Sequence, residues 1–167
     1  ALALQRQIGN RRNEAYCLTY LGDSLAKLGK LDQAQQAYQR ALDIRRELGQ
    51  HGLCMDSLCG LIRVALLREE FDQASELAKQ VQHHLKEQGI DGIEYPIQVC
   101  LTCYHALRTA DSQSNHTAQA DEMLDQGAAL LCERAIKIED SLLRQSYLQN
   151  VEYNRELMTL WDCLLYT

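Results

Sequence analysis

A period of forty residues constrains the fold of this chain more than any other feature of its sequence. The segment Leu31-Asp32-Gln33-Ala34 returns as Phe71-Asp72-Gln73-Ala74, and residues 1–9 return in altered form as residues 41–49. The same interval separates the members of two further series, which are Gly9, Gly49 and Gly89, and Leu21, Leu61 and Leu101. Recurrence of several landmarks at one interval indicates a repeat array, in which each unit buries its apolar face against the next.

Apolar residues within one period recur at helical spacing. Two successive stripes step by three or four residues, the first through Leu18, Leu21, Leu25 and Leu28 and the second through Ala34, Ala37, Tyr38, Ala41 and Leu42. Such stripes are typical of amphipathic helices, and Gly29 and Gly49 suit the left-handed conformation that ends a helix. The sequence therefore predicts a partial helix at 1–8, helix pairs at 13–28 with 31–48, 51–68 with 71–88 and 94–109 with about 116–138, and two helices after Asp140.

These helices predict an all-α fold, a right-handed α-solenoid of helix hairpins with a C-terminal helical cap. Gly22 and Ala34 leave room for the two helix axes of a hairpin to approach closely. The polar run from Asp111 to His116 is predicted to be a loop. The predicted organisation is a repeat array over 1–139, made of the end of a truncated repeat at 1–10 and repeats at 11–50, 51–90 and 91–139, with capping helices at 140–167.

Composition and charge disfavour several function classes. The formal net charge of -6 argues against a direct nucleic-acid ligand, whose phosphates require a basic surface. No apolar run approaches the roughly 18 residues of a membrane span, and the first residues lack the pattern of a secretory signal. The seven cysteines cannot all pair within the chain, so we expect a reducing, cytoplasmic setting. Because the first residues resemble a helix interior, we expect the sequence to be part of a longer protein.

Residues 18–49 resemble the tetratricopeptide repeat. The pattern of that family has a Leu-Gly pair in the first helix, here Leu21-Gly22. Small or aromatic residues follow at fixed spacing in the second helix, here Ala34, Tyr38 and Ala41. A second, degenerate copy has Ile62 at the glycine position, keeps Ala74 and has Ala78 at the aromatic position.

Two further features refine this resemblance. The forty-residue period is similar to that of long-repeat variants, because the usual period is about 34 residues. Residues 131–156 are similar to the end of the C-terminal repeat regions in large bacterial signalling and transcriptional regulators.

The family resemblance implies a concave groove, lined by the first helix of each pair, that binds an extended peptide or a partner helix. Carried over by repeat phase, the groove residues are Tyr16, Thr19, Tyr20, Asp23 and Lys27 in the first repeat, Asp56, Cys59, Arg63 and Leu67 in the second, and Val99 and Cys103 in the third. Tyrosine and arginine often supply much of the binding energy at interfaces. The alternative for Tyr16 and Tyr20 is packing against a preceding repeat.

The same resemblance implies a protein- or peptide-binding scaffold that acts as a regulatory or sensor segment of a larger bacterial protein. Its partners would be a protein or peptide ligand and the upstream domains of the same chain. The sequence contains no phosphate-binding Gly-x-x-x-x-Gly-Lys loop and no nucleophile elbow. We therefore expect neither an enzyme nor a cofactor.

Two other functions stay open at this point. One is homo-oligomerisation, with a homodimer as the simplest case. The other is a metal- or redox-sensing site at Cys100 and Cys103, which lie three residues apart on one helical face near His105. A zinc site needs four ligands and no second Cys-x-x-Cys occurs, so packing of buried thiols competes with this explanation.

Overall fold

The structure, a computed structural model, describes the backbone of residues 2–109 and 114–165, and the side chains of residues 9–109 and 118–164. Over these residues the chain forms helices and no strand, which confirms the all-α prediction. The helices are α1 (Leu2–Lys27), α2 (Leu31–Glu47), α3 (His51–Leu67), α4 (Phe71–Gln88), α5 (Pro96–Thr109), α6 (Ser114–Ile136), α7 (Ser141–Asn150) and α8 (Glu152–Leu165). None of the helices in the described part of the chain has the length and apolar character needed to cross a membrane.

The first helix differs from the prediction. Helix α1 continues through Gly9, so the expected helix end at residue 8 is wrong. Glycine weakens a helix by about 1 kcal/mol without ending it. The next turns of α1 are held against α2, because Arg11 pairs with Glu47 and Glu14 accepts from Arg40 at 2.5 Å.

The turns between the other helices follow the predicted period. Gly29, Gly49 and Gly89 all have positive φ, between 65° and 73°, so each adopts a conformation that favours glycine. At the position forty residues after Gly29, Glu69 adopts the same conformation with φ of 61°. Of the loop predicted at 111–116, residues 111–113 lie outside the described residues and residues 114–116 belong to α6.

The chain divides into two compact units, Ala1–Glu94 and Tyr95–Thr167. In the first unit each helix packs on the next along the chain from α1 to α4, and α1 also contacts α3. At the centre lies Tyr38 of α2, whose side chain is fully buried. Its ring reaches the backbones of α1 and α3 because Gly22 and Gly60 have no side chain: a Cβ at Gly22 would lie 2.7 Å from Tyr38 Cε1. Glycine thus sets how closely three helices approach.

The second unit is a hairpin of α5 and α6 on which α8 packs, with α7 in contact with α6 and α8. Leu157 of α8 is fully buried and fits over Gly127, where a Cβ would lie 2.6 Å from its Cδ1. Asp140 begins α7 as predicted, since its carboxylate accepts from the amides of Leu142 and Leu143 at 2.8 and 3.0 Å. The central side chains of this unit are Ile97, Leu101, Leu124, Ala128, Leu131 and Leu157.

Candidate partner-binding surface

The predicted groove residues of the first two repeats lie on α1 and α3, which are neighbours in the first unit. We call the surface formed by these two helices the α1–α3 face. An ion pair joins the helices directly, because Arg63 of α3 donates to Asp23 of α1 at 2.5 Å. The structure therefore brings together residues that lie forty positions apart in the sequence.

Tyr38 of α2 contacts both residues of this ion pair. Its hydroxyl donates to Asp23 at 2.6 Å, and Arg63 lies 3.2 Å from the same hydroxyl oxygen. Burial raises the pKa of Tyr38 to about 12, with a further contribution from Asp23. Burial acts to lower the pKa of Arg63, but Tyr38 and Asp23 outweigh it and the pKa is raised. The phenol therefore stays neutral and the guanidinium stays charged near neutral pH, so the three helices are tied by a permanent polar contact.

Several side chains of the face are accessible to a partner. Tyr20 is 49% exposed and Leu67 is 59% exposed, and Lys27 is also exposed. The side chains of Asp23 and Arg63 keep about a third of their surface in solvent, at 36% and 30%. An aromatic ring, an aliphatic side chain and charges of both signs are thus available on one face, and large aromatic and arginine side chains are frequent anchors in interfaces.

Tyr16 is half-buried and its ring contacts a residue of α2. The guanidinium carbon of Arg45 lies 5.4 Å from the centre of the Tyr16 ring. Arg45 is 1% exposed and donates to the carbonyl of Leu53 at 2.9 Å and to the hydroxyl of Ser57 at 2.6 Å. The Tyr16 ring thus covers a buried charge on α2. Groove contact and packing against a preceding repeat both stay predictions for its exposed part.

Four other predicted groove residues are buried and do not present a surface to a partner. Thr19 directs its hydroxyl to the carbonyl of Ala15 at 3.0 Å. Cys59 is 2% exposed within the first unit. Val99 and Cys103 belong to the second unit, where they are 1% and 0% exposed. Repeat phase identifies the helix on which a residue lies, but an error of one position in phase moves a side chain by about 100° around the helix.

The two cysteines of the proposed metal or redox site lie in the interior of the second unit. Cys100 and Cys103 are both fully buried. The Cβ of Cys100 would lie 3.0 Å from a Cβ added at Gly127, so it occupies the space between α5 and α6. No group of three or more His, Cys, Asp or Glu side chains in residues 9–109 and 118–164 is placed to hold a metal ion. The observed contacts favour the packing explanation for these thiols.

The remaining predicted residue, Asp56, is covered by a segment of the same chain. Asp56 is 7% exposed, and its Oδ2 accepts the backbone N–H of Glu94 at 3.0 Å. The Glu94 carboxylate in turn accepts from the hydroxyl of Tyr20 at 3.2 Å. One turn before Asp56, Gly52 lies against the backbone of Asp91 and Gly92, where a Cβ would lie 2.5 Å from the Asp91 carbonyl oxygen. We call residues 89–94 the strap.

Neither the strap nor the role of Gly52 was predicted from the sequence. The available signal was connector length: three residues separate α2 from α3, whereas seven separate α4 from α5. The additional residues of the connector between α4 and α5 have no counterpart in the first repeat. Periodicity therefore could not predict where this connector lies. The strap covers the α1–α3 face near Asp56 and leaves Lys27 and Leu67 exposed.

The arrangement of α1 to α4 defines a class of protein, the α-helical repeat proteins built from successive hairpins. The sequence model of the tetratricopeptide repeat matches the chain twice, over residues 1–47 and over residues 14–82. Residues 1–82 therefore belong to the tetratricopeptide repeat family, which confirms the resemblance seen in the Leu-Gly pair and the spaced small residues. No curated protein and no solved structure gives a significant match to the chain.

Proposed function

We propose that the chain is a scaffold that binds a protein or peptide partner on the α1–α3 face. Tetratricopeptide repeats generally mediate contacts between proteins, and residues 1–82 belong to that family. The observation that carries the proposal is the exposed set of Tyr20, Lys27 and Leu67 beside the Asp23–Arg63 pair.

Rigidity of the face matters for affinity. The polar contact among Asp23, Tyr38 and Arg63 fixes the spacing of α1 and α3 before a partner arrives. A preorganised surface loses less conformational entropy on binding than a mobile one. Leu67 and Tyr20 would supply apolar contact area, and Lys27 would attract an acidic group at the edge of the face.

The wider setting is also part of the proposal. We propose a cytoplasmic protein in which this chain is a regulatory or sensor segment, working on the upstream domains of a longer bacterial polypeptide. The helices α7 and α8 would then be the C-terminal cap of a repeat array at 1–139, with α8 closing the α5–α6 hairpin through Leu157. The reasons are the sequence similarity of residues 131–156 to such regulators and the cysteine content.

Site-specific photocrosslinking tests the partner-binding proposal. A photoreactive amino acid at position 67 should give a defined protein adduct in cells of the source organism, whereas the same amino acid at Gln36, an exposed residue of α2, should not. Substitution of Lys27→Glu in the crosslinking chain should reduce the adduct several-fold. Equal adducts at positions 67 and 36, or an adduct that Lys27→Glu leaves unchanged, would contradict binding at this face.

A further inference from the structure

The strap makes few apolar contacts although it lies on the candidate surface. Asp91, Gly92 and Glu94 are exposed, Gly89 and Ile90 are partly buried, and Ile93 is the one buried residue of the strap, at 9% exposure. Hydrogen bonds that attach it to α1 and α3 include Glu94 N–H to Asp56 and Tyr20 hydroxyl to the Glu94 carboxylate. Segments with little buried apolar area and exposed hydrogen bonds open at lower free energy than helix cores.

The place where the strap lies accepts a backbone turn, in which the N–H of Ile93 donates to the carbonyl of Ile90 at 3.1 Å. Gly52 has no Cβ, and the strap backbone passes directly over it with Gly92 at φ of 75°. Asp56 presents a carboxylate oxygen to the main-chain N–H of Glu94, and Tyr20 presents a hydroxyl to the side-chain carboxylate of the same residue. These three features recognise a short sequence of a small, an apolar and an acidic residue, here Gly92, Ile93 and Glu94, in which the acidic residue donates its backbone N–H to Asp56.

We propose that the strap is an intramolecular ligand of the α1–α3 face, displaced when the partner supplies an acidic peptide that adopts the same turn and carries the same pattern. This deepens the proposed function and rests on it. The strap, as part of the same chain, is present at high effective concentration, so it would exclude weakly matching peptides and yield to a partner that also engages the uncovered residues Lys27 and Leu67. The strap would thus increase the affinity that a peptide needs in order to bind the face, and so make binding more specific.

Binding of the chain's own segment in trans tests this proposal. The probe is a labelled peptide with the sequence of residues 89–95, Gly-Ile-Asp-Gly-Ile-Glu-Tyr. In the full chain, the double variant Ile93→Ser, Glu94→Ser weakens the strap and leaves the face intact. The peptide should bind this variant at least tenfold more tightly than it binds the wild type, as measured by fluorescence anisotropy.

Gly52→Ala provides the specificity control. Added to the double variant, it should abolish peptide binding, because its Cβ occupies the space of the strap backbone. Gly9→Ala is the matched variant, since a Cβ there meets nothing within 4 Å and binding should be unchanged. Equal peptide affinity for wild type and double variant, or binding that survives Gly52→Ala, would overturn the proposal.

Hydrogen exchange of the wild type gives an answer that depends on no variant. The Glu94 amide should exchange at least a hundredfold faster than the amide of Ile62 in the core of α3, since it is released by local opening. Exchange at the same rate would make the strap a fixed part of the unit and overturn the proposal. A chain that binds the peptide but gives no adduct at position 67 would instead contradict only the partner-binding function.

Discussion

The close fit of Tyr38 against Gly60 predicts that Gly60→Ala lowers the stability of the protein, although helix propensity alone would raise it. In an exposed helix, replacing glycine by alanine stabilises by about 1 kcal/mol. A Cβ at Gly60 would overlap the Tyr38 ring, lying 2.6 Å from its Cγ and closer to two other ring atoms. The ring cannot retreat, because its hydroxyl is bonded to Asp23 and the backbone at Gly22 already touches the same edge.

The magnitude follows from these opposing effects. Overpacking of a rigid core costs about 1 to 3 kcal/mol, and the side chain involved here is an aromatic ring with no exposed surface. Subtracting the helical gain of about 1 kcal/mol leaves a net loss of up to about 2 kcal/mol for Gly60→Ala. Gly9→Ala, which meets no atom within 4 Å, should instead stabilise by about 1 kcal/mol.

Urea unfolding followed by far-ultraviolet circular dichroism measures both changes in the full chain. A double-mutant cycle isolates the contact: in a Tyr38→Ala background the ring is absent, so Gly60→Ala should become neutral or stabilising. Destabilisation by Gly60→Ala that persists without the ring, or stabilisation of the wild type by this substitution, would refute the reasoning about close packing.

Three further predictions concern single groups. Tyr38→Phe removes the hydroxyl that donates to Asp23, and should lower the free energy of unfolding by about 1 to 2 kcal/mol; a loss below the error of urea titration contradicts it. Glu69→Gly relieves the steric strain of the left-handed conformation at φ of 61°, so it should stabilise the protein by about 1 kcal/mol and raise its melting temperature. An unchanged or lower melting temperature counts against this prediction. Burial, then two neighbouring histidines, lowers the pKa of His84. Because the folded pKa lies below the unfolded value of 6.5, the stabilisation from neutral His84 is complete above pH 6.5 and is lost as pH falls below it. His84→Gln should therefore lose less stability than the wild type between pH 7.5 and 5. Identical losses in the variant and the wild type would show that His84 does not cause the pH dependence.

Repeat phase predicted much of the fold because the same physical requirement recurs in each hairpin. Gly29 and Gly49 end helices in the left-handed conformation, and the stripe that includes Ala34 and Tyr38 is buried. Gly9 lies at the same forty-residue interval but within a helix, because contacts of the following residues with α2 keep α1 helical. Periodicity therefore located the elements but not every boundary.

The candidate surface was less predictable for two reasons. A helix position tells which face a residue is near, but burial of Thr19 and Cys59 depends on the rotation of α1 and α3 about their axes, which Tyr38 sets by fitting over Gly22 and Gly60. Gly60 lies two positions before the expected small residue at 62, so the pattern alone did not reveal it. The strap depends on a connector with no equivalent in the preceding repeat.

A chemical-shift map of the isotope-labelled chain, titrated with the protein captured at position 67, tests whether that partner binds on the α1–α3 face. We expect the largest amide shifts on Tyr20, Lys27 and Leu67 of this face, and a shift of the strap amide of Glu94 as the strap is displaced. Shifts confined to the outward residues of α2 and α4, such as Gln36 and Gln80, would contradict it.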